Sequence, residues 1–180
     1  MAAVLIPLIT HPQGLTVLFT QRTPHLRSHS GQVSFPGGRA EPGDASAEFT
    51  ALRETEEEIG LSPSVVEVLA RLPDYRTRTG YRVTPVVGLL TPPVAFRPDP
   101  NEVAEIFETP FGFLMEPANY EQHERQTPDG VMRRFYAMTH DEQYIWGATA
   151  GILRALHESQ VDVDKRLCFL ADAAATDPHR

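Results

Sequence analysis

The segment that most restricts the fold of this chain spans residues 46–60 and reads SAEFTALRETEEEIG. Its apolar spacing predicts a helix over residues 46–59. Either Asp44 or Ser46 can cap the start of this helix, and Gly60 stands where a left-handed residue ends one. At about 100° per residue, one face of the helix is expected to carry the residues that contact the core: Phe49, Leu52, Thr55 and Ile59.

The opposite side of this helix collects three carboxylates. Glu54, Glu57 and Glu58 are related by steps of three and four residues, so their side chains converge. Like charges at this spacing repel each other, and a divalent cation such as Mg²⁺, which prefers carboxylate and water oxygens, would neutralise them. Arg53 lies four residues before Glu57 and can orient a carboxylate. The alternative is a solvated acidic face without any site.

A glycine pair precedes the helix and changes how the carboxylates are interpreted. Gly37 and Gly38 follow Pro36 at the end of the short strand expected in QVSFPGG. Glycines at such a turn expose backbone groups and allow a ligand to approach closely. A glycine turn, a short loop and a helix with convergent glutamates together predict a site for a metal and a phosphate.

The remaining patterns alternate strands with helices. AAVLIPLIT and LTVLFTQRT flank HPQG and predict a hairpin, and VMRRFYAMT with the segment before TPDG predicts a second one. A last helix is expected over about residues 141–158, since Thr139 and Glu142 have capping-box spacing. This order predicts an α/β fold with a mixed sheet and helices on its faces.

Composition narrows the class of partner. The chain has 180 residues, which fits a single domain over residues 1–180, with flexible residues from about 171. Its net charge of −8 argues against a nucleic acid partner. Cys168 is the single cysteine, so the chain has no internal disulfide. The start of the chain does not resemble a signal peptide, and no apolar run is long enough to span a membrane, so we expect a cytoplasmic protein.

At this point the residues resemble the Nudix box, G-x5-E-x7-R-E-U-x-E-E-x-G-U, where U is apolar. The matching positions are Gly38, Arg53, Glu54, Glu57, Glu58, Gly60 and Leu61. The chain departs from the box in three ways: Asp44 replaces the first glutamate, the gap from Gly38 to Arg53 is one residue longer, and Thr55 takes an apolar position.

The residues before the box resemble the coenzyme A branch of the same family. The stretch LFTQRTPHLRSHSGQVSFPGG matches that branch's upstream pattern except for Phe19, which replaces a leucine. The resemblance implies the Nudix fold, an α/β/α sandwich around a mixed β-sheet. It also implies Mg²⁺- or Mn²⁺-dependent hydrolysis of the diphosphate of coenzyme A, or of an oxidised or acyl derivative. The products would be 3′,5′-ADP and 4′-phosphopantetheine or its derivative.

The resemblance also suggests roles for individual residues. Glu54 and Glu58 match the principal metal ligands, and Glu57 and the carbonyl of Gly37 are further ones. Arg53 would fix the geometry of the carboxylates, and Gly38 would let the substrate phosphate approach. The general base is a box glutamate, Glu54 or Glu57, or a glutamate of a distant loop, Glu102 or Glu105.

Substrate contacts are expected from arginines. Arg22 and Arg27 fall within the upstream pattern, and guanidinium groups suit phosphates, including the 3′-phosphate of coenzyme A. Arg76, Arg78 and Arg82 form a second basic cluster, and each arginine taken alone can equally be a solvated surface charge. His25 and His29 lie nearby and are expected to be polar surface.

Three alternatives stay open. The first is another Nudix substrate, such as ADP-ribose, a dinucleoside polyphosphate or an oxidised nucleotide. The second is a non-catalytic Nudix-like domain that binds a ligand or a partner protein. The third is an unrelated α/β protein with a solvated acidic helix. The sequence does not indicate the oligomeric state.

Overall fold

The computed structural model describes residues 1–24, 31–77, 80–126, 130 and 132–159. The helices are α1 (Ala47–Ile59), α2 (Phe111–Met115) and α3 (Ala148–Glu158), and short 3₁₀ turns cover Pro63–Val65 and Pro117–Asn119. The strands are β1 (Ala2–His11), β2 (Gly14–Arg22), β3 (Val33–Ser34), β4 (Gly37–Arg39), β5 (Glu67–Arg71), β6 (Tyr75–Arg76), β7 (Arg82–Leu90), β8 (Val103–Pro110), β9 (Glu121–Gln126), β10 (Met132–His140) and β11 (Gln143–Trp146).

The main sheet is mixed. Its strands follow the order β3–β2–β1–β7–β5, with β8 on β2, β4 on β1 and β6 on β7. β1 runs parallel to β7, and the other pairs are antiparallel. The predicted first hairpin is confirmed, since β1 and β2 pair up to His11 opposite Gly14.

Two apolar clusters cover the two faces of this sheet. On one face, Ala51 and Ile59 of α1 pack against side chains such as Leu5 and Leu18. On the other face, Phe19 and Val87 pack against α2, α3 and the second sheet. The predicted α/β arrangement, with helices on both faces of a mixed sheet, is therefore confirmed.

A second sheet, with the order β11–β10–β9, replaces part of the predicted last helix. The expectation of a helix from about residue 141 is wrong: residues 143–146 pair with β10, and α3 begins at Ala148. Asp141, with a φ of 51°, lies in the turn between β10 and β11, and Gly147, with a φ of 66°, separates β11 from α3. The ladder to β10 outweighs the capping-box spacing, a local signal that cannot anticipate pairing between strands. The predicted second hairpin is confirmed as β9 and β10.

The ends of α1 agree with the prediction, but its faces agree only in part, since Thr55 and Ile59 are buried as expected. The Ser46 hydroxyl accepts a hydrogen bond from the Phe49 amide, and Gly60 ends the helix with a φ of 67°. Phe49, expected on the buried face, is 50% exposed, whereas Glu58, expected on the acidic side, is only 5% exposed. The sheet therefore meets α1 along a stripe rotated from the predicted one.

Several predictions concern residues outside the described part of the chain. These are the contacts of His25, Arg27, His29 and Arg78, and the flexibility expected from about residue 171. Among the described residues, no helix has the length and apolar character needed to cross a membrane.

Candidate active site

Glu58 lies at the centre of the candidate site, in the last turn of α1. Its Oε2 accepts a hydrogen bond from the Gly37 amide at 3.0 Å. Its Oε1 lies 3.4 Å from Nη1 of Arg22, at the end of β2. The structure thus joins the end of the upstream strand, the glycine turn and the acidic helix at one buried carboxylate.

The turn at Gly37 can only be made by glycine. Its φ is 145°, and a Cβ added there would collide with the Ala3 carbonyl and lie 2.6 Å from Cα of Val4. The Leu5 amide donates to the Pro36 carbonyl at 2.9 Å, which fixes the turn against β1. A side chain at this position would push the turn off the sheet, and the Gly37 amide would then no longer reach Glu58.

Gly38 lies directly against the carboxylate of Glu54. A Cβ on Gly38 would overlap the Glu54 carboxylate, so a side chain here would push that carboxylate out of its position. The Glu54 side chain is 19% exposed, and its Oε1 lies 3.1 Å from Nη2 of Arg53. Glu54 and Glu58 therefore both face the glycine turn.

Arg53 is the residue that holds the loop and the helix together. It binds both oxygens of Asp44, at 3.1 and 3.0 Å, and donates to the Arg39 carbonyl at 3.1 Å. Its Nη1 lies 3.2 Å from each oxygen of Glu57, whose side chain is 61% exposed. The Glu57 carboxylate is therefore exposed to solvent and paired with Arg53.

Asp44 connects the loop before α1 to the helix. Besides Arg53, it accepts hydrogen bonds from the Glu41 amide at 2.9 Å and the Thr50 hydroxyl at 2.8 Å. Hydrogen bonds from Arg53 and from the Glu41 amide hold the pKa of Asp44 well below its usual range, and Asp44 in turn raises the pKa of Arg53. Asp44 therefore fastens the loop to α1, as a permanent anion.

Burial makes the two inner carboxylates unlike ordinary surface glutamates. Desolvation raises the pKa of Glu58 to about 7, against the opposing effects of the Gly37 amide and Arg22. Desolvation also raises the pKa of Glu54. The charge of Glu102 adds to the increase at both positions, so Glu102 lies close enough to repel both carboxylates.

The loop before β8 brings Glu102 to the site. The Asp99 amide donates to the Glu58 carbonyl at 2.9 Å, which closes the loop over the end of α1. The Thr23 amide donates to the Glu102 carbonyl at 3.0 Å, which ties the loop to the end of β2. Both contacts join segments distant in sequence, so the position of Glu102 follows from the fold.

Glu105 is not brought to the site. Neighbouring side chains of β8 point to opposite faces of the sheet. Ile106 packs in the cluster that contains α1, whereas Phe107 packs in the opposite cluster. Glu105 shares the side of Phe107, and its Oε2 accepts a hydrogen bond from Gln143 of β11 at 3.3 Å. The expectation that Glu105 could serve at the acidic helix is therefore not supported by its placement.

The donor chemistry of the site fits a hard divalent cation. Glu54 and Glu58 are two carboxylates whose charges are poorly solvated, and oxygen ligands of this kind suit Mg²⁺ and Mn²⁺. Within the described segments, however, no three His, Cys, Asp or Glu side chains are grouped as a metal-binding cluster. Arg53 and Arg22 contact these carboxylates, so an ion would have to displace or share those contacts.

Sequence reasoning found most of the side chains of the site but not their connections. It placed Arg22 and Glu58 in separate motifs, and nothing in either pattern indicated that they touch. The buried Nε of Arg22 has no hydrogen-bond partner in the described structure, so the guanidinium is not fully paired by its own surroundings. The five N–H groups of a guanidinium allow one residue to hold a carboxylate and an anionic ligand together.

Comparisons with known proteins agree on the family. The family model for the NUDIX domain matches residues 1–136. The chain is 44% identical over 155 residues to proteins of Yersinia pestis (strain Pestoides F) and Yersinia pseudotuberculosis (strain YPIII), each named uncharacterized Nudix hydrolase NudL. These matches cover 86% of this chain and 77% of each relative.

Solved structures agree on the fold. An Ap4A hydrolase of C. elegans in a binary complex is similar with a TM-score of 0.54 and 18% identity, over 62% of this chain and 81% of that one. The Nudix hydrolase RenU of M. Smegmatis is similar with a TM-score of 0.53 and 23% identity, over 62% of this chain and 71% of that one. At these identities the likeness shows the fold alone, and it is the expected Nudix fold.

Proposed function

Because the chain belongs to the Nudix hydrolase family, we propose that it hydrolyses the diphosphate bond of coenzyme A, or of an oxidised or acyl derivative of it. The products would be 3′,5′-ADP and 4′-phosphopantetheine or its derivative. One observation carries the proposal: Arg22 Nη1 lies 3.4 Å from Oε1 of Glu58. Arg22 belongs to the upstream pattern of the coenzyme A branch and Glu58 to the general box, so the two motifs share one site.

In this proposal, Glu54 and Glu58 hold Mg²⁺ or Mn²⁺, with Glu57 and the Gly37 carbonyl as further ligands. The bound ion would neutralise phosphate oxygens and lower the pKa of the attacking water. Arg53 keeps the carboxylates in place by holding Asp44 and the loop. Gly38 presents no side chain beside Glu54, and its contact with a substrate phosphate rests on the family pattern alone.

The reaction adds one water across the diphosphate. The water oxygen bonds to one phosphorus, the bridging oxygen leaves with the other phosphate, and a base takes the proton. Among the candidates for that base, Glu102 has the best support, because its charge acts on both Glu54 and Glu58. Glu54 and Glu57 remain candidates, and Glu105 is dropped because it contacts Gln143.

Arg22 and Arg27 would bind substrate phosphates. Arg22 is 25% exposed and pairs with Glu58 through Nη1, so the rest of its guanidinium can contact an anion while it remains beside Glu58. Arg27 comes from the same upstream pattern, and its role rests on that pattern alone. A guanidinium next to the metal carboxylates suits a substrate with several phosphates.

The test is a substrate panel with Mg²⁺ or Mn²⁺, in which mass spectrometry identifies the products. The panel contains coenzyme A, its disulfide, an acyl derivative, ADP-ribose and a dinucleoside polyphosphate. We expect release of 3′,5′-ADP and 4′-phosphopantetheine from coenzyme A, or of the corresponding products from a derivative. Preferred cleavage of ADP-ribose would overturn the choice of substrate, and the absence of any cleavage would indicate a domain that only binds.

A matched pair of variants tests the site itself. Glu58→Gln is nearly isosteric and should lower kcat by roughly 10²-fold or more, since it removes a charge that acts on the transition state. Glu56→Gln changes an exposed glutamate of the same helix and should keep normal turnover. Full activity of Glu58→Gln with Mg²⁺ would contradict the assignment of the metal ligands.

A further inference from the structure

The β9–β10–β11 sheet carries a row of aromatic side chains on one face. His123 of β9 stacks on Phe135 of β10 with ring centroids 5.6 Å apart. Phe135 meets Trp146 of β11 at 5.7 Å, and Trp146 stacks on Tyr144 at 6.4 Å. We call the side of the sheet that bears these four rings the outer face.

The outer face points away from the hydrophobic core. Side chains of β10 alternate between the two faces, and Tyr136 and Met138 pack in the core cluster. α3 lies on that inner side, where Arg154 stacks over the Tyr136 ring at 4.2 Å. On the outer face, Tyr144 is 43% exposed, and His123, Phe135 and Trp146 are half-buried. An aromatic row on a face turned from the core is a feature typical of interfaces.

Charged residues stand at the two ends of this row. Arg133 lies directly opposite Arg125 in the ladder, two residues beyond the pair of Phe135 and His123. Neither arginine has an ion pair within the described residues, and like charges in directly opposed positions repel each other. At the other end of β9, Glu121 contacts His123 at 2.9 Å, and its side chain remains 65% exposed.

We propose that the outer face binds the outer face of a second copy of this chain, so that the protein forms a two-fold symmetric dimer. Along β9, Arg125 and Glu121 each lie two residues from His123, or about 7 Å on either side of it. A two-fold axis that lies between the two faces and runs across the strands near His123 and Phe135 therefore brings the basic end of one copy over the acidic end of the other. The aromatic rows then stack at the centre, as a self-complementary contact requires.

A second copy fits the charges better than a nucleotide does. A nucleotide could stack on the rings and contact Arg125 and Arg133, but it offers no positive charge to Glu121, whose side chain contacts only His123 among the described residues. The dimer instead pairs both ends of the face at once. The three-stranded face is small compared with the roughly 800 Å² per partner of stable complexes, so the dimer should form reversibly with concentration.

The experiment measures the mass of the full chain by sedimentation velocity across a wide range of concentration. We expect a reversible monomer–dimer equilibrium. Trp146 is the single tryptophan of the chain, so its fluorescence should shift to longer wavelength as dilution exposes the outer face. Arg125→Glu and Glu121→Arg should each raise the Kd of the dimer at least tenfold, because each places like charges together across the contact.

The double variant Arg125→Glu, Glu121→Arg separates this proposal from its rivals. It exchanges the charges at the two ends of the outer face and should restore the dimer. If the single variants failed to dimerise because they did not fold, the double variant would not restore the dimer. Arg134→Glu is the matched control, since Arg134 lies on the inner side of β10, paired with Glu124 at 2.7 Å, and should leave the Kd unchanged. Three results would overturn the proposal. The chain could be a monomer at all concentrations, or a dimer whose Kd neither single change alters. A nucleotide could also quench the fluorescence of Trp146 without any change in the mass of the protein.

Discussion

At the scale of single residues, Glu58 makes stability depend on pH. Its ordinary pKa is near 4.5, and burial raises it to about 7 in the folded protein. The unfolded chain therefore loses this proton at lower pH than the folded protein does. The free energy of unfolding must fall as pH rises between these two values.

Glu58→Gln should remove this effect. We expect the variant to gain stability relative to the natural protein between pH 4.5 and pH 8, by up to about 3 kcal/mol. Urea unfolding with a chelator present, at pH 5 and at pH 8, measures the difference. Glu56→Gln serves as the exposed control, and an equal difference at both pH values for Glu58→Gln would show that Glu58 ionises normally.

The sequence predicted some properties of these residues but not others. The spacing of Glu54 and Glu58 predicted that they share a patch of helix, and the Gly37–Gly38 pair predicted a close approach. The burial of Glu58 could not be predicted, because a helical pattern indicates which residues share a face but not where the sheet meets it. The contribution of Glu102 depends on a loop whose position is set by distant hydrogen bonds.

At the scale of elements, the loop before α1 is held by one ion pair. Asp44 binds Arg53 through both oxygens, and Arg53 also contacts Glu54 and Glu57. Asp44→Asn should lower the melting temperature and weaken metal binding, because Arg53 would lose its main partner and shift towards the two glutamates. Thermal unfolding and a Mn²⁺ titration measure both effects.

Glu41→Gln is the matched control for this change, since Glu41 lies in the same loop and its hydrogen bonds with Asp44 use its backbone amide and carbonyl. If Asp44→Asn bound Mn²⁺ as tightly as the natural protein, Asp44 would have no influence on the carboxylates. The sequence indicated Asp44 as a possible cap of α1, but Ser46 takes that role. The departure from the common box thus has a structural use that the pattern alone did not reveal.

Helices and strands were predicted well where local sequence signals determine them, and poorly where pairing with a distant strand determines them. Ser46 and Gly60 bound α1 as expected, because capping is a local property. Residues 143–146 were assigned to a helix but pair with β10. These residues form β11, which completes the outer face. The wrong assignment therefore missed both the start of α3 and the presence of this aromatic surface.

At the scale of the whole molecule, the site is built from segments that meet only in the folded state. Arg22 ends β2, Gly37 begins β4, Glu54 and Glu58 lie on α1, and Glu102 precedes β8. The unfolded chain cannot offer this arrangement to an ion. A cation that binds the site must therefore stabilise the folded protein, in proportion to the logarithm of its concentration.

Melting curves with a chelator or with Mn²⁺ should show this stabilisation. At about 100 times the Kd, the gain is about 2.7 kcal/mol, or a rise of roughly 5–10 °C for a chain of this size. The rise should be larger at pH 8 than at pH 5.5, because the ion needs Glu58 without its proton. Glu58→Gln should lose most of the rise and Glu56→Gln should keep it, at one protein concentration so that dimer formation is constant. An equal rise in melting temperature in both variants would show that the ion binds away from the glycine turn. The chemistry proposed at that turn would then be wrong.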